Sequence, residues 1–338
     1  MNVLIVRLGA LGDIVHAMPA AAALRAAWPD ARIDWLVDRK HRAIVDLVTS
    51  LDRTIPLERP TLGGWIDTVR TLRLRRYDWA VDFQGLLKSA VLARASGATR
   101  VAGFSTRYLR EKSARPFYTC TGGAGTTAED RNPRDRHVVR KNLRLLRALG
   151  VDDERIDFPL AAVESAAVAS IRATAGGGGS FALINPGAAW PNKRWPAERF
   201  GQVAAFLRDV RQLPSFVLWG PGEQPLAQAV ADASAGAARL CPATTLADIL
   251  ALCRTAALMV SGDTGPLHIA TAAGTPTVSL FGPTDPCRNG PWAAADLSVS
   301  RFESCRCHYR RRCHERSWCM ADIPVTEVTA AATQRLQV

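Results

Sequence analysis

Ser261-Gly262-Asp263-Thr264-Gly265-Pro266-Leu267-His268 decides how this chain is read. An apolar run at 257–260 precedes it and has the composition of a buried strand. Ile269-Ala270-Thr271-Ala272-Ala273-Gly274 follows and has that of a short helix stopped by glycine. Pro266 suits the first helical turn, where its missing N–H costs nothing. Asp263 or Thr264 is placed to cap the helix. A strand, a tight turn and a helix N-terminus therefore meet at one point, where free N–H groups and the helix dipole favour a phosphate. His268, one turn in, is either a core histidine or a phosphate contact.

The same grammar extends on both sides. Strands are expected at 181–185, 216–219, 258–261 and 277–281, with helices at 197–210, 245–253 and 324–336. In open α/β sheets, ligands bind outside the carboxyl ends of strands. Asn185-Pro186-Gly187-Ala188-Ala189-Trp190 leaves the first of these strands and leads to Lys193-Arg194-Trp195-Pro196, two cations suited to a diphosphate. Trp219-Gly220-Pro221-Gly222-Glu223 leaves the next; Glu223 either accepts from ribose hydroxyls or serves a helix dipole. Phe281-Gly282-Pro283-Thr284-Asp285-Pro286 closes the last. Four such strand ends in one domain imply a nucleotide-diphosphate ligand.

The first half repeats the alternation. Strands are expected at 3–6, 33–37, 79–83 and 100–104, and helices at 17–27 and 86–95, the pattern of a parallel sheet covered by helices. A polar surface segment is expected at 119–136. Gly176-Gly177-Gly178-Gly179 marks the break between halves. The expected domains are 1–172 and 173–338, the second carrying a cysteine-rich segment at 287–319 and a terminal helix. Gly9-Ala10-Leu11-Gly12-Asp13 is not a dinucleotide fingerprint, because its glycines have the wrong spacing and Asp13 would repel a pyrophosphate. Asp13 is either a helix cap or a general base.

The 338 residues are 48% hydrophobic and 22% charged, ordinary for a globular protein. No apolar run is long enough to span a bilayer and no signal peptide is visible, so a cytoplasmic location is expected. The net charge of +12, with arginines gathered at 70–76, 94–115 and 131–147, marks either a solvated basic surface or an anionic partner. Among nucleic acid, an acidic membrane and a phosphorylated lipid, nucleic acid ranks last, since no recognised nucleic-acid module is present.

Taken together, these residues resemble glycosyltransferase family 9, the bacterial ADP-heptose heptosyltransferases of lipopolysaccharide core synthesis. The resemblance includes Val3-Leu4-Ile5-Val6-Arg7 with Gly12-Asp13, and Asp82-Phe83-Gln84-Gly85-Leu86-Leu87-Lys88-Ser89. It continues through the Lys193, Glu223, Asp263 and Phe281 motifs. It implies a GT-B-type fold, two Rossmann-like parallel-sheet domains facing across a cleft, with acceptor on the first domain and nucleotide sugar on the second. The implied reaction is an inverting displacement at the anomeric carbon, with no metal in the chemistry. By the same resemblance, Asp13 is the general base and Lys193 steadies the leaving diphosphate. Thr264 and Gly265 give backbone N–H groups to its phosphates, and Asp263 contacts the heptose. Glu223 holds the adenosine ribose, His268 sits beside the phosphates, and Arg110 binds an acidic acceptor.

The implied donor is ADP-heptose. The implied acceptor is an anionic lipopolysaccharide precursor, met at the inner-membrane surface by a peripheral enzyme. Acceptor identity, Kdo or first heptose, stays open: Ala188 and Ala189 replace a threonine pair, and Thr61-Leu62-Gly63-Gly64 replaces basic residues found in relatives. A protein acceptor or another nucleotide sugar is the alternative within the fold; a non-catalytic nucleotide- or nucleic-acid-binding protein is the alternative outside it. Cys305, Cys307, Cys313 and Cys319 lie within fifteen residues and are either ligands of a structural zinc or iron ion or four reduced thiols in a basic surface loop; their spacing is not that of a zinc ribbon. Some family members have a similar terminal cysteine group. Cys287 is a substitute ligand, and Cys120, Cys241 and Cys253 are expected in core or surface positions.

Overall fold

The computed structural model describes residues 1–58, 61–123, 133–175 and 179–337. Parts of the expected polar segment at 119–136, and three glycines of the expected break (176–178), lie outside the described residues. The chain divides into two compact units, Met1–Ala161 and Ala162–Val338. Ser165 Oγ donates to Asp248 Oδ1 (2.7 Å), which fastens the start of the helix Ala166–Ala175 within the second unit.

The first unit holds a six-stranded parallel sheet of β1 (Asn2–Val6), β2 (Arg32–Asp38), β3 (Arg53–Leu57), β4 (Trp79–Asp82), β5 (Arg100–Phe104) and β6 (Cys120–Gly122), in the order β3-β2-β1-β4-β5-β6. Val3, Leu4, Ile5 and Val6 are fully buried, the composition of a central strand covered on both faces. The helix Leu87–Ala95 packs against β4, and its Leu92 and Ala93 join Val101 and Tyr77 in one core.

The second unit repeats the plan with β7 (Ala182–Asn185), β8 (Ser215–Val217), β9 (Ala238–Leu240), β10 (Leu258–Gly262), β11 (Thr277–Phe281) and β12 (Leu297–Ser300), ordered β12-β11-β10-β7-β8-β9. Counted from its own first strand, this is the strand order of the first unit. In each, the order reverses between the first strand and the fourth, and that crevice is where such sheets bind ligands. The helix Ala197–Arg211 buries Phe200, Val203, Ala204 and Leu207 against β7 and β8. The terminal helix Val325–Arg335 adds Val328 and Ala332 to the same core.

Candidate active site

In the second unit, β10 hands the chain to Asp263, which is 6% exposed. Lys193 Nζ donates to Asp263 Oδ2 at 2.5 Å, and Thr284 Oγ1 donates to the same oxygen at 2.6 Å. His268 Nε2 lies 3.2 Å from Oδ1. Burial alone would raise this carboxyl's pKa, but the His268 hydrogen bond and the Lys193 charge outweigh it and hold it well below the ordinary aspartate range. Three strand ends thus contribute: Lys193 after β7, Asp263 after β10 and Thr284 after β11.

The helix Gly265–Ala273 starts at this cluster and ends on Gly274 in the left-handed conformation (φ 77°). The cap expected from Asp263 or Thr264 is not made. No side chain caps this helix, because Asp263 is held by Lys193, Thr284 and His268. Thr264 Oγ1 instead accepts from Asn185 Nδ2 (2.8 Å) and lies 3.3 Å from Ser261 Oγ. Asn185 therefore ties the turn after β10 to the end of β7. Neither Asn185 nor Thr284 was assigned a role from sequence, although both stand in the motifs quoted.

Lys193 ends a short 3-10 turn, Pro191–Lys193, with its ammonium 4.5 Å from the centre of the Trp190 ring. Glu223 lies across the glycines of two loops. Its Oε2 accepts from Gly220 N–H at 3.1 Å, and a Cβ on Gly187 would fall 2.4 Å from that oxygen. Gly187 is thus a close-approach glycine that seats Glu223 beside the loop leading to Lys193.

In the first unit the corresponding crevice lies at the ends of β1 and β4. Arg7, 5% exposed, leaves β1; its Nη1 donates to Phe83 O at 2.6 Å and its Nη2 lies 2.5 Å from Asp13 Oδ2. Asp13 sits in the first turn of the short helix Leu11–Val15, whose cap residue is Ala10. Arg110 Nη1 lies 3.8 Å from the same Asp13 oxygen, on a half-exposed side chain. Asp82, fully buried at the end of β4, accepts from Gln84 N–H (2.8 Å), Ser89 Oγ (2.8 Å) and Tyr118 OH (2.7 Å). Burial nevertheless keeps its pKa above the usual carboxylate range. Asp82 thereby fixes the Asp82-Phe83-Gln84-Gly85 turn, and Gln84 in turn accepts from Leu8 N–H at 2.7 Å.

Cys305, Cys307 and Cys319 are buried together with Cys313 packed on them. Cys307 Sγ and Cys313 Sγ are 3.3 Å apart, and Cys287 is exposed. The expected structural zinc or iron is corrected here: among the described residues no group of three or more His, Cys, Asp or Glu side chains is placed to hold a metal ion. The thiols instead make sulfur contacts with one another and a backbone bond, Cys307 N–H to Cys305 Sγ at 3.4 Å. Burial and the neighbouring Cys305 push the Cys319 thiol up to about 12. Cys241 and Cys253 are buried, their thiols also raised to about 12, while Cys120 is half-buried.

Two parallel sheets of identical strand order, each with polar side chains gathered at the carboxyl ends beside its switch point, define an α/β protein of the GT-B type. The chain belongs to glycosyltransferase family 9 (heptosyltransferase), whose model matches residues 65–319. It is 29% identical over 328 residues to lipopolysaccharide heptosyltransferase 1 of Pseudomonas aeruginosa, covering 93% of this chain and 87% of that protein. A family 9 glycosyltransferase of Veillonella parvula has the same fold (TM-score 0.80, 22% identity, 99% of this chain and 97% of that one). So does the E. coli heptosyltransferase WaaC with ADP (TM-score 0.75, 21% identity, all of both chains).

Proposed function

We propose that this protein is an inverting heptosyltransferase that moves heptose from ADP-heptose to an anionic lipopolysaccharide inner-core acceptor. The observation that carries this reading is the Lys193–Asp263–His268–Thr284 cluster at an uncapped helix N-terminus, beside the switch point of the second sheet. A helix N-terminus with a cation beside it favours a phosphate, which supports the reading in a chain of this family. In the reaction, Asp13 takes the proton of the acceptor hydroxyl. That oxygen attacks the anomeric carbon as the bond to the diphosphate breaks, and ADP leaves with the electron pair. Inversion follows from attack opposite the leaving group.

Lys193 and the N–H groups of Thr264 and Gly265 stabilise the charge that grows on the diphosphate. Asp263 keeps Lys193 and His268 in place. Its expected contact with heptose hydroxyls falls to Oδ1, which has His268 at 3.2 Å, since Oδ2 already accepts from Lys193 and Thr284. Glu223, seated over Gly187, takes the adenosine ribose, and half-exposed Arg110 pairs with an acidic group of the acceptor.

The +12 charge supports peripheral attachment to the cytoplasmic face of the inner membrane. Among the described residues no helix is long and apolar enough to cross a membrane. The test is ADP release from ADP-heptose against a panel of Kdo-terminated lipid, heptose-terminated lipid and protein acceptors, with UDP- and GDP-sugars as donor controls. Turnover with ADP-heptose and a lipid acceptor is expected. Turnover only with another donor, or only on protein, would overturn the reading.

A further inference from the structure

Among the described residues, two guanidinium groups address Asp13 at one oxygen, and the two differ in kind. Arg7 is buried and anchored on the Phe83 carbonyl, and its Nε has no hydrogen-bond partner. Arg110 is half-exposed and stands 3.8 Å off, within ion-pair range but beyond a hydrogen bond. A carboxylate facing two cations is a stabilised anion and hence a weak base. Protonating it is costly here for a second reason. Arg7 would keep its charge in a buried site, with no direct counter-ion in place of Asp13. Among the described residues, the other carboxylate whose charge reaches Arg7 is Asp82.

We propose that Arg7 is the positioning residue of the base, and that Arg110 is a removable brake on it, lifted when an acidic acceptor draws the Arg110 guanidinium onto itself. The proposal rests on Asp13 as base and Arg110 as acceptor contact. With Arg110 paired to the acceptor's carboxylate or phosphate, one cation no longer acts on Asp13 and a new anion stands near it. Both changes raise its proton affinity just as the acceptor hydroxyl arrives. The proton moves from that hydroxyl to Asp13 Oδ while the hydroxyl oxygen bonds to the anomeric carbon and the bond from that carbon to the diphosphate breaks, ADP leaving with the electron pair, so charge balances without a further reactant. An acceptor lacking the acidic group leaves the brake on, which makes acceptor charge a condition of rate as well as of affinity. Among the described residues, the other titratable groups on elements beside Asp13 include Asp82 at the end of β4, His16 one turn on, His137 edge-on to His16 (ring centres 5.4 Å apart), and His41, whose ring packs on Gly9.

The test is the pH dependence of single-turnover transfer by the full-length protein, from ADP-heptose to a Kdo-bearing lipid precursor and to its carboxyl methyl ester. The active form of Asp13 is ionised, so activity falls on the acid side; a nearby cation moves that limb to lower pH and its loss moves it to higher pH. For wild type, the limb at saturating acceptor should lie above the limb at limiting acceptor. In Arg110→Gln the limiting-acceptor limb should rise by roughly half a unit to one unit, more than the saturating-acceptor limb moves. Arg7→Gln should raise both limbs and lower the rate, and Arg7→Lys should restore their position. The methyl ester should be transferred more slowly by wild type even at saturation. Limbs that move together in Arg110→Gln, or that do not move at all, would overturn the proposal. Should Arg7→Gln not fold, judged by its thermal transition, Arg110→Gln and Arg7→Lys carry the test. Asp13→Asn runs alongside. If it transfers at the wild-type rate, the assignment of Asp13 itself fails; if it is inactive while the limbs stand still, only this inference does.

Discussion

Asp263 has a single oxygen shared by Lys193 and Thr284, and that sharing fixes how this carboxyl behaves with pH. Its pKa is depressed in the folded chain, so its contribution to stability is present above the ordinary aspartate value near 3.9. That contribution is lost as pH falls through the lower folded value. Asp263→Asn should therefore show a shallower loss of melting temperature between about pH 4 and 2.5 than wild type, measured by thermal scans across that range. An equally steep loss would remove Asp263 as a contributor. Lys193→Met should lower turnover by about 10²–10³ while leaving the fold intact, read by ADP release at saturating donor. Gly187→Ala drives a methyl into Glu223 and should weaken ADP binding roughly tenfold, measured by calorimetry. At this scale, residues with a local signature were legible. Lys193, Asp263 and Glu223 stand at the ends of apolar runs, where the sheet rule places ligand contacts. Thr284 and Arg7 were not, because each owes its place to a partner elsewhere. Thr284 is 21 residues from Asp263, and Phe83 is 76 from Arg7.

Sequence reading found the four inner strands of each sheet and missed both edges of both: β3, β6, β9 and β12. The reason is physical. Inner strands are covered on two faces and read as unbroken apolar runs, as in Leu258–Gly262, buried throughout. Edge strands are short or half-exposed. β9 is Ala-Arg-Leu, β6 is Cys-Thr-Gly, and β3 carries Pro56, which edge positions tolerate. The helix cap expected from Asp263 or Thr264 is not made, and the expectation fails for a related reason, since pattern alone does not reveal that a capping residue is engaged elsewhere. Packing of elements also explains Gly103 in β5. A Cβ there would fall 2.3 Å from the Tyr118 ring, whose hydroxyl holds buried Asp82. Gly103→Ala should destabilise the first unit by about 2–3 kcal/mol, seen as a lower denaturation midpoint. An unchanged midpoint would mean that Tyr118 can move without cost.

Across the whole molecule, the twin strand orders were hidden from sequence, because the halves share a topology and no recognisable repeat. Fold class was legible from the alternation of strand and helix, and each half had its switch point marked by polar loops. Net charge is the other property of this scale. Binding to vesicles containing anionic lipid should weaken steeply as salt rises, as screening shortens the reach of surface charge, with no binding to neutral vesicles in a flotation assay. Salt-independent binding would point to apolar insertion instead. The central claim is that Asp13 in the first unit is the base for a transfer whose donor is held in the second. It is tested most directly by ADP release from ADP-heptose and lipid acceptor with Asp13→Asn. The variant should bind ADP with wild-type affinity and turn over at least about 100-fold more slowly; wild-type turnover by Asp13→Asn would contradict the claim.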